Sequence, residues 1–184
     1  GWNTDKNPSG WYGGENRVEI ADRVTVDGTI YLILVNGCNL KAAKGINVGE
    51  GNSLTIYAQS KDESTMGKLE AYGDKGAGIG GNYGDGGGNI TINGGTVTAR
   101  GDDFCAGIGG GYGGSGGNIT ISGGAVTATG ESGSSHRAAV TGDHAAIATI
   151  AAADARAACA GRRHRAAVDG DVAAVAIAAP ADAC

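Results

Sequence analysis

A 29-residue block that occurs twice without a gap limits what this chain can fold into more than any other feature. Residues 77–105 read AGIGGNYGDGGGNITINGGTVTARGDDFC and residues 106–134 read AGIGGGYGGSGGNITISGGAVTATGESGS, with 19 of 29 positions identical. A unit of this length with two or three short strands cannot bury its own apolar face, whereas stacked copies build one continuous core. The repeat therefore predicts a solenoid with one coil per copy.

Short runs that alternate apolar and polar residues occur in the repeat and before it. From Arg17 onward they read RVEI, RVTV, TIYLILV, GINV, SLTIYA and KLEAY, followed by NITI and TVTA. A period of two is typical of strands with one buried face. The residues expected to face the core are Val18, Ile20, Val24, Val26, Ile46, Val48, Leu54, Ile56, Ile79, Ile90, Ile92, Ile108, Ile119 and Ile121.

Glycine-containing dipeptides separate these strands. Asp27-Gly28, Asn36-Gly37 and Asn93-Gly94 adopt the positive φ of tight turns at low cost. With 37 glycines, 2 prolines and 5% aromatic residues, the composition suits narrow coils with glycine corners. We therefore predict an all-β fold, a right-handed parallel β-helix (solenoid) with glycine-rich coils.

The chain divides into three segments. We expect residues 1–72 to form the N-terminal coils and cap of the solenoid, and residues 73–133 to hold the two 29-residue repeats. Residues 134–184 form an alanine-rich tail that contains 21 alanines and 3 glycines. The composition therefore changes abruptly near residue 134.

The tail carries a trace of the repeat at the level of codons. When the codons of residues 137–147 are read across their boundaries, free third bases permit Gly-Gly-Gly-Tyr-Gly-Gly-Ser-x-Gly-Asn, which differs from residues 109–118 at one position. Past Ile147 the shifted frame does not restore the expected isoleucine. We interpret residues 134–184 as an out-of-frame translation of further repeats rather than a native-like tail. The alternative is a genuine alanine-rich segment, which helix propensity would favour.

Charge and hydropathy argue against nucleic-acid binding and against a transmembrane helix. A net charge of -5 and a pI near 5.1 provide no basic surface for nucleic acid. No apolar run approaches the roughly 18 residues of a transmembrane helix. Because the chain begins at Gly1, we expect that a signal peptide has been removed or that the sequence is a fragment.

A long part of the chain carries a family resemblance. The string LILVNGCNLKAAKGINVGEGNSLTIYAQS, followed by GKLEAYGDKGAGIGG and GGNITINGGTVTA, resembles the glycine-rich β-helix repeat regions of large surface or secreted proteins of gut-dwelling Gram-positive bacteria. The resemblance covers roughly residues 17–133. It implies an extracellular or cell-surface location and a role as a stalk or an adhesive, carbohydrate-binding segment, and it brings no catalytic residues with it.

Tyr83 and Tyr112 are the candidate ligand-binding residues. They occupy equivalent positions in the glycine-rich loops of the two repeats, so stacked coils would bring the two rings into register. Stacked tyrosines offer a platform to sugar rings, and the expected partners are glycans or other cell-surface polymers. In the alternative, the rings only cover the edge of the core.

Other motifs lack the context that their chemistry needs. Residues 76–81 match a dinucleotide-binding fingerprint by letter, but a glycine-rich loop follows them instead of a helix. Asp74, Asp85 and the adjacent Asp102 and Asp103 are better explained as solvated turn residues than as catalytic acids or calcium ligands. We therefore predict no cofactor, no metal and no catalytic residue.

Repeated polar residues suggest structural ladders. Asn89 and Asn118 match a glycosylation sequon by letter, yet an asparagine ladder at one corner of the coils accounts for them better. The threonines near residues 96–98 do not repeat in the register of an ice-binding face, because Thr98 aligns with Thr127 whereas Thr96 aligns with Ala125. Cys38 is expected to be a buried thiol.

These observations favour a non-enzymatic β-solenoid segment of an extracellular bacterial surface protein, which acts as a structural stalk or an adhesive, carbohydrate-binding surface. The alternative is a fragment of a polysaccharide-active β-helix enzyme, a lyase or a hydrolase, whose catalytic coils lie outside the given sequence.

The frame hypothesis predicts an insertion or deletion of one or two bases in the coding DNA. Resequencing codons 125–184 should reveal the change, and its correction should restore repeats of the GGGYGGS type. An unchanged frame in independent clones would make the alanine-rich segment genuine.

Overall fold

The computed structural model describes residues 17–102 and 104–130 in full and the backbone of four later strands. Every regular element among these residues is a β-strand, and no helix in this part of the chain is long and apolar enough to cross a membrane. The strands are β1 (Arg17–Ile20), β2 (Val24–Thr25), β3 (Thr29–Leu34), β4 (Asn39–Ala42), β5 (Ile46–Asn47), β6 (Ser53–Ala58), β7 (Lys68–Tyr72), β8 (Ile79–Gly80), β9 (Asn89–Arg100), β10 (Ile108–Gly109), β11 (Asn118–Gly130), β12 (Arg137–Thr141), β13 (Ile147–Ala152), β14 (Arg165–Asp169) and β15 (Ala174–Ala178).

The strands stack in parallel on three faces. The first face contains β1, β4, β7, the second halves of β9 and β11, β13 and β15. The second face contains the two-residue strands β2, β5, β8 and β10. The third face contains β3, β6, the first halves of β9 and β11, β12 and β14. Because the chain visits the faces in this order in each coil, the predicted all-β parallel solenoid is confirmed.

The two repeats occupy successive coils in the predicted register. Ile108 pairs with Ile79 on the second face, and Asn118 pairs with Asn89 on the third. Each pair is separated by the 29 residues of the sequence repeat. One copy of the repeat therefore makes one coil.

The core is a narrow column of aliphatic side chains between the three faces. Along β9 buried and more exposed residues alternate, which places Ile90, Ile92 and Val97 fully inside. Ile79 and Ile108 fill the core from the second face, as predicted. Each such side chain contributes about 1.5–3 kcal/mol through burial. Val18 and Ile20, by contrast, are only half-buried.

One predicted turn is wrong. Asn93-Gly94 does not end a strand, since β9 continues through it to Arg100. The bend between the third and first faces falls at Gly95, whose φ is 94°, and at Gly124 in the next coil, whose φ is 87°. One left-handed glycine turns the chain there, and the register of β9 with β11 shifts between Ile121 and Ala125 before the regular pairing resumes. Gly28 and Gly37 do adopt the predicted positive φ.

The four described strands of the alanine-rich segment add to two of the three faces. β11 pairs in parallel with both β12 and β13, and these strands pair in turn with β14 and β15. Residues 137–140 and 165–168, which both read RAAV, pair with each other, with Arg137 opposite Arg165. The reading frame of the coding DNA stays a prediction, because strand pairing does not report it.

Two glycines in the loop 110–117 have a similar positive φ but differ in the space around them. Substitution of each therefore shows how much backbone angle and packing each contribute to stability. Gly113 has a φ of 69° and nothing within 4 Å of an added Cβ, whereas Gly117 has a φ of 71° and an added Cβ would collide with the carbonyl oxygen of Gly88. We expect Gly113→Ala to cost about 1 kcal/mol of folding free energy, the penalty of the left-handed region. Gly117→Ala should cost roughly 1–3 kcal/mol more because it also overpacks the contact between coils.

Urea unfolding of both variants measures the difference. Equal midpoints would contradict the close approach of the coils at this corner.

Candidate functional site

Two glycine-rich loops connect the second face to the third. Residues 81–88 link β8 to β9, and residues 110–117 link β10 to β11. They lie directly against each other: the Gly84 amide donates to the Tyr112 carbonyl at 3.1 Å, and the Gly111 amide donates to the Asp85 carbonyl at 3.0 Å. The loops therefore continue the stack of coils beyond the sheets.

Glycines allow this close contact. An added Cβ at Gly111 or Gly114 would overlap the backbone of residue 82 or residue 85 in the coil below. No side chain separates the two loops at these points. The loops consequently stay one coil apart, and the tyrosines project outward from them.

The structure brings Tyr83 and Tyr112 together. Their ring centroids are 4.9 Å apart and their planes differ by 7°, so the rings are stacked. The separation matches the spacing of about 4.7–4.9 Å between hydrogen-bonded strands. The side chains remain 57% and 46% exposed, respectively. Both rings therefore lie at the surface in a stacked arrangement.

Phe104 extends the stack, and the sequence analysis missed it. Its ring meets Tyr112 edge to face, with centroids 6.1 Å apart and planes at 69°, and it is about half exposed. We refer to Tyr83, Tyr112 and Phe104 as the aromatic cluster. The signal was weak, because the residues 29 positions before and after Phe104 are Lys75 and Gly133, so no aromatic residue repeats at that position.

The short second face brings the cluster together. On either side of β8 the chain folds back on itself, with an antiparallel bridge between Gly76 and Asn82. In the next coil the Ala106 amide donates to the Gly110 carbonyl at 3.1 Å in the same way. The segments that carry Phe104 and Tyr112 are therefore the two limbs of one narrow turn.

Phe104 has an unfavourable backbone conformation. Its φ is 64°, and that of the equivalent Lys75 is 57°; they are the non-glycine residues with positive φ in the fully described part of the chain. This region costs a side-chain-bearing residue about 1–2 kcal/mol. Because Lys75 shares the conformation, the positive φ is a property of this turn in both coils.

The predicted ladders occur. The Asn118 side-chain amide donates to Asn89 Oδ1 at 2.9 Å, and Asn89 Nδ2 donates to Ser53 Oγ at 3.3 Å. On the first face Thr98 pairs with Thr127, whereas Thr96 pairs with Ala125. The asparagine ladder and the register that argues against an ice-binding face are both confirmed.

The acidic residues do not converge. Asp74 and Asp85 are exposed and Asp102 is half-buried, while Asp103 lies outside the described residues. The part of the chain that the structure describes contains no group of three or more His, Cys, Asp or Glu residues that could hold a metal ion. Cys38 is buried as predicted, and burial raises the pKa of its thiol.

A second pair of exposed tyrosines lies on the third face. Tyr31 and Tyr57 have ring centroids 6.5 Å apart with planes tilted by 31°, and Ile33 is exposed beside them. Because their rings are tilted and more widely separated, they do not form the compact stack seen in the aromatic cluster. Tyr31 and Tyr57 can therefore serve as a control for experiments on the aromatic cluster.

Comparison with known proteins supports the fold. A family model described as a beta helix repeat matches residues 67–83, 90–112 and 119–147. The matches include all three members of the aromatic cluster, and the chain thus contains a β-helix repeat region. The searches of curated proteins and of solved structures gave no significant match.

Substitution of Phe104 tests the strain at its backbone. Phe104→Gly and Phe104→Ala remove the same ring, but only glycine tolerates a φ of 64°. We expect the glycine variant to be more stable than the alanine variant by about 1 kcal/mol. Thermal unfolding of both proteins measures the difference, and a more stable alanine variant would contradict the strained conformation.

Proposed function

We propose that this chain is a stiff, non-enzymatic segment of an extracellular bacterial surface protein that presents the aromatic cluster to glycans. The β-solenoid supplies the structural part of this role. Hydrogen bonds between parallel strands join each coil to the next, so the segment resists bending and holds its loops at fixed positions.

The stacked, exposed pair of Tyr83 and Tyr112 is the observation that carries the proposal. The apolar C–H face of a sugar ring packs well against a flat aromatic surface, and an already rigid ring loses little conformational entropy on binding. In the preceding coil, residues 48–52 contain no aromatic residue. That coil therefore adds no third ring to the outer face of Tyr83, which is left for a ligand.

Phe104 adds shape to this surface. It stands edge-on to Tyr112, at nearly a right angle to the stack. Two surfaces at different angles hold a ring-shaped ligand better than one flat surface does.

Paired substitutions test the site. We expect the full chain to bind members of a glycan array and to be retarded in native gels that contain pectin or mucin. Tyr83→Ala combined with Tyr112→Ala should weaken binding at least tenfold, which corresponds to about 1.4 kcal/mol. Tyr31→Ala combined with Tyr57→Ala is the matched control, because it removes two other exposed tyrosines, and it should bind like the unmodified chain.

The outcomes are distinct. No binding of the unmodified chain to any glycan would reject the adhesive role and leave the spacer role. Loss of binding only in the Tyr31 and Tyr57 variant would move the site to the third face. Incubation with the same pectin should produce no new reducing or unsaturated ends, and their appearance would favour the polysaccharide-active enzyme.

A further inference from the structure

Arg23 connects three coils through a single side chain. It lies between β1 and β2 in the first described coil, and its guanidinium reaches across the second coil to the third. Nε donates to Asn82 Oδ1 at 2.7 Å. The other acceptors are backbone carbonyl oxygens: those of Lys44 at 2.8 Å and Ala77 at 2.9 Å from Nη1, and those of Gly80 and Gly81 at 3.3 Å each from Nη2.

These contacts use the whole hydrogen-bonding capacity of the side chain. A guanidinium has five N–H groups in a fixed planar arrangement, and each has an acceptor here. Burial lowers the pKa of Arg23, while the nearby Cys105 and Asp74 oppose that shift. The arrangement is thus specific to arginine, because lysine carries only three donors on one nitrogen.

Two glycines form the slot that admits the guanidinium. An added Cβ at Gly45, whose φ is 77°, would lie 2.7 Å from Arg23 Nη1. An added Cβ at Gly76 would lie 2.9 Å from Nη2. Any larger residue at either position would displace Arg23, so the second and third coils are shaped around it.

The contact with Asn82 leads directly to the aromatic cluster. Asn82 immediately precedes Tyr83 and forms the antiparallel bridge with Gly76. The Tyr83 amide donates to the Lys75 carbonyl at 3.0 Å, and the Asp85 amide donates to the Asn82 carbonyl at 2.9 Å. A displacement of Asn82 would therefore move the backbone that carries the Tyr83 ring.

We infer that Arg23 is a positioning residue that acts through Asn82 to hold Tyr83 in its stack with Tyr112. Arg23 fixes the loop one residue before the ring, from two coils away. The effect of Arg23 on the position of the Tyr83 ring does not depend on any ligand. Its effect on ligand affinity rests on the proposed glycan-binding function.

Asn82→Ala is the decisive variant. It removes one acceptor of Arg23 and leaves the four backbone acceptors, so the coils remain joined. The matched control is Asn52→Ala, because Asn52 Oδ1 also accepts a hydrogen bond from another coil, from the Gly28 amide at 2.8 Å, but in a loop that carries no aromatic ring. Arg23→Lys tests whether the guanidinium is needed for this effect, because lysine keeps the positive charge but loses the planar set of five donors.

Near-ultraviolet circular dichroism of the 184-residue chain measures the stack without any ligand. The difference between the unmodified chain and Tyr83→Ala defines the signal of the stacked rings. We expect Asn82→Ala and Arg23→Lys to lose most of that signal and Asn52→Ala to keep it. In the pectin and mucin gels, Asn82→Ala should also weaken binding roughly tenfold.

Each outcome is informative. A folded Asn82→Ala protein with the full stacking signal would overturn the inference, even if Arg23→Lys does not fold. Equal loss in Asn82→Ala and Asn52→Ala would overturn it too, because a general loosening of the coils would then be responsible. Loss of the signal in Asn82→Ala and in a folded Arg23→Lys protein but not in Asn52→Ala, with no glycan binding by the unmodified chain, would support the inference and reject the adhesive part of the proposed function. A folded Arg23→Lys protein with the full signal would overturn the inference.

Discussion

Backbone hydrogen bonding between successive coils is the constraint on which the rest of this structure depends. Strands of one coil pair in parallel with those of the next, and the loops at the corners pair as well. A spacing of about 4.7–4.9 Å between paired strands leaves no room for side chains where corners meet. The glycines at those corners follow from this spacing, because a Cβ at Gly111 or Gly117 would enter the neighbouring backbone.

Because of the same spacing, side chains that repeat in the sequence lie next to each other on the surface. Two asparagines that are 29 residues apart become a hydrogen-bonded ladder, and two tyrosines become a stacked pair. Neither contact needs a dedicated pocket. The distance that is optimal for a β-ladder lies within the range that aromatic rings prefer for stacking, so the backbone places the rings at little cost.

The register between the two repeats could be predicted from sequence, and local turn signals predicted the positive φ of Gly28 and Gly37 outside the repeats. The coil length, the register of Thr98 with Thr127 and the pairing of Tyr83 with Tyr112 all follow from the alignment of the two copies. The bend at Gly95 was predicted one residue too early, at Asn93-Gly94, because an Asn-Gly dipeptide is a stronger turn signal than Gly-Thr. Phe104 was missed since its counterpart is Lys75. Arg23 was missed because most of its acceptors are backbone carbonyl oxygens. Every residue has such an oxygen, so these contacts do not require particular residue types in the sequence.

The stacked loops also make the surface modular. Each further 29-residue unit in the same register would add one coil, one loop and one ring at the same interval as the pair seen here. A gene could then change the multivalency of the surface by duplication or loss of whole units, without any change to an existing contact. Avidity for a long polymer would rise with the number of units, whereas the affinity of each ring would stay constant.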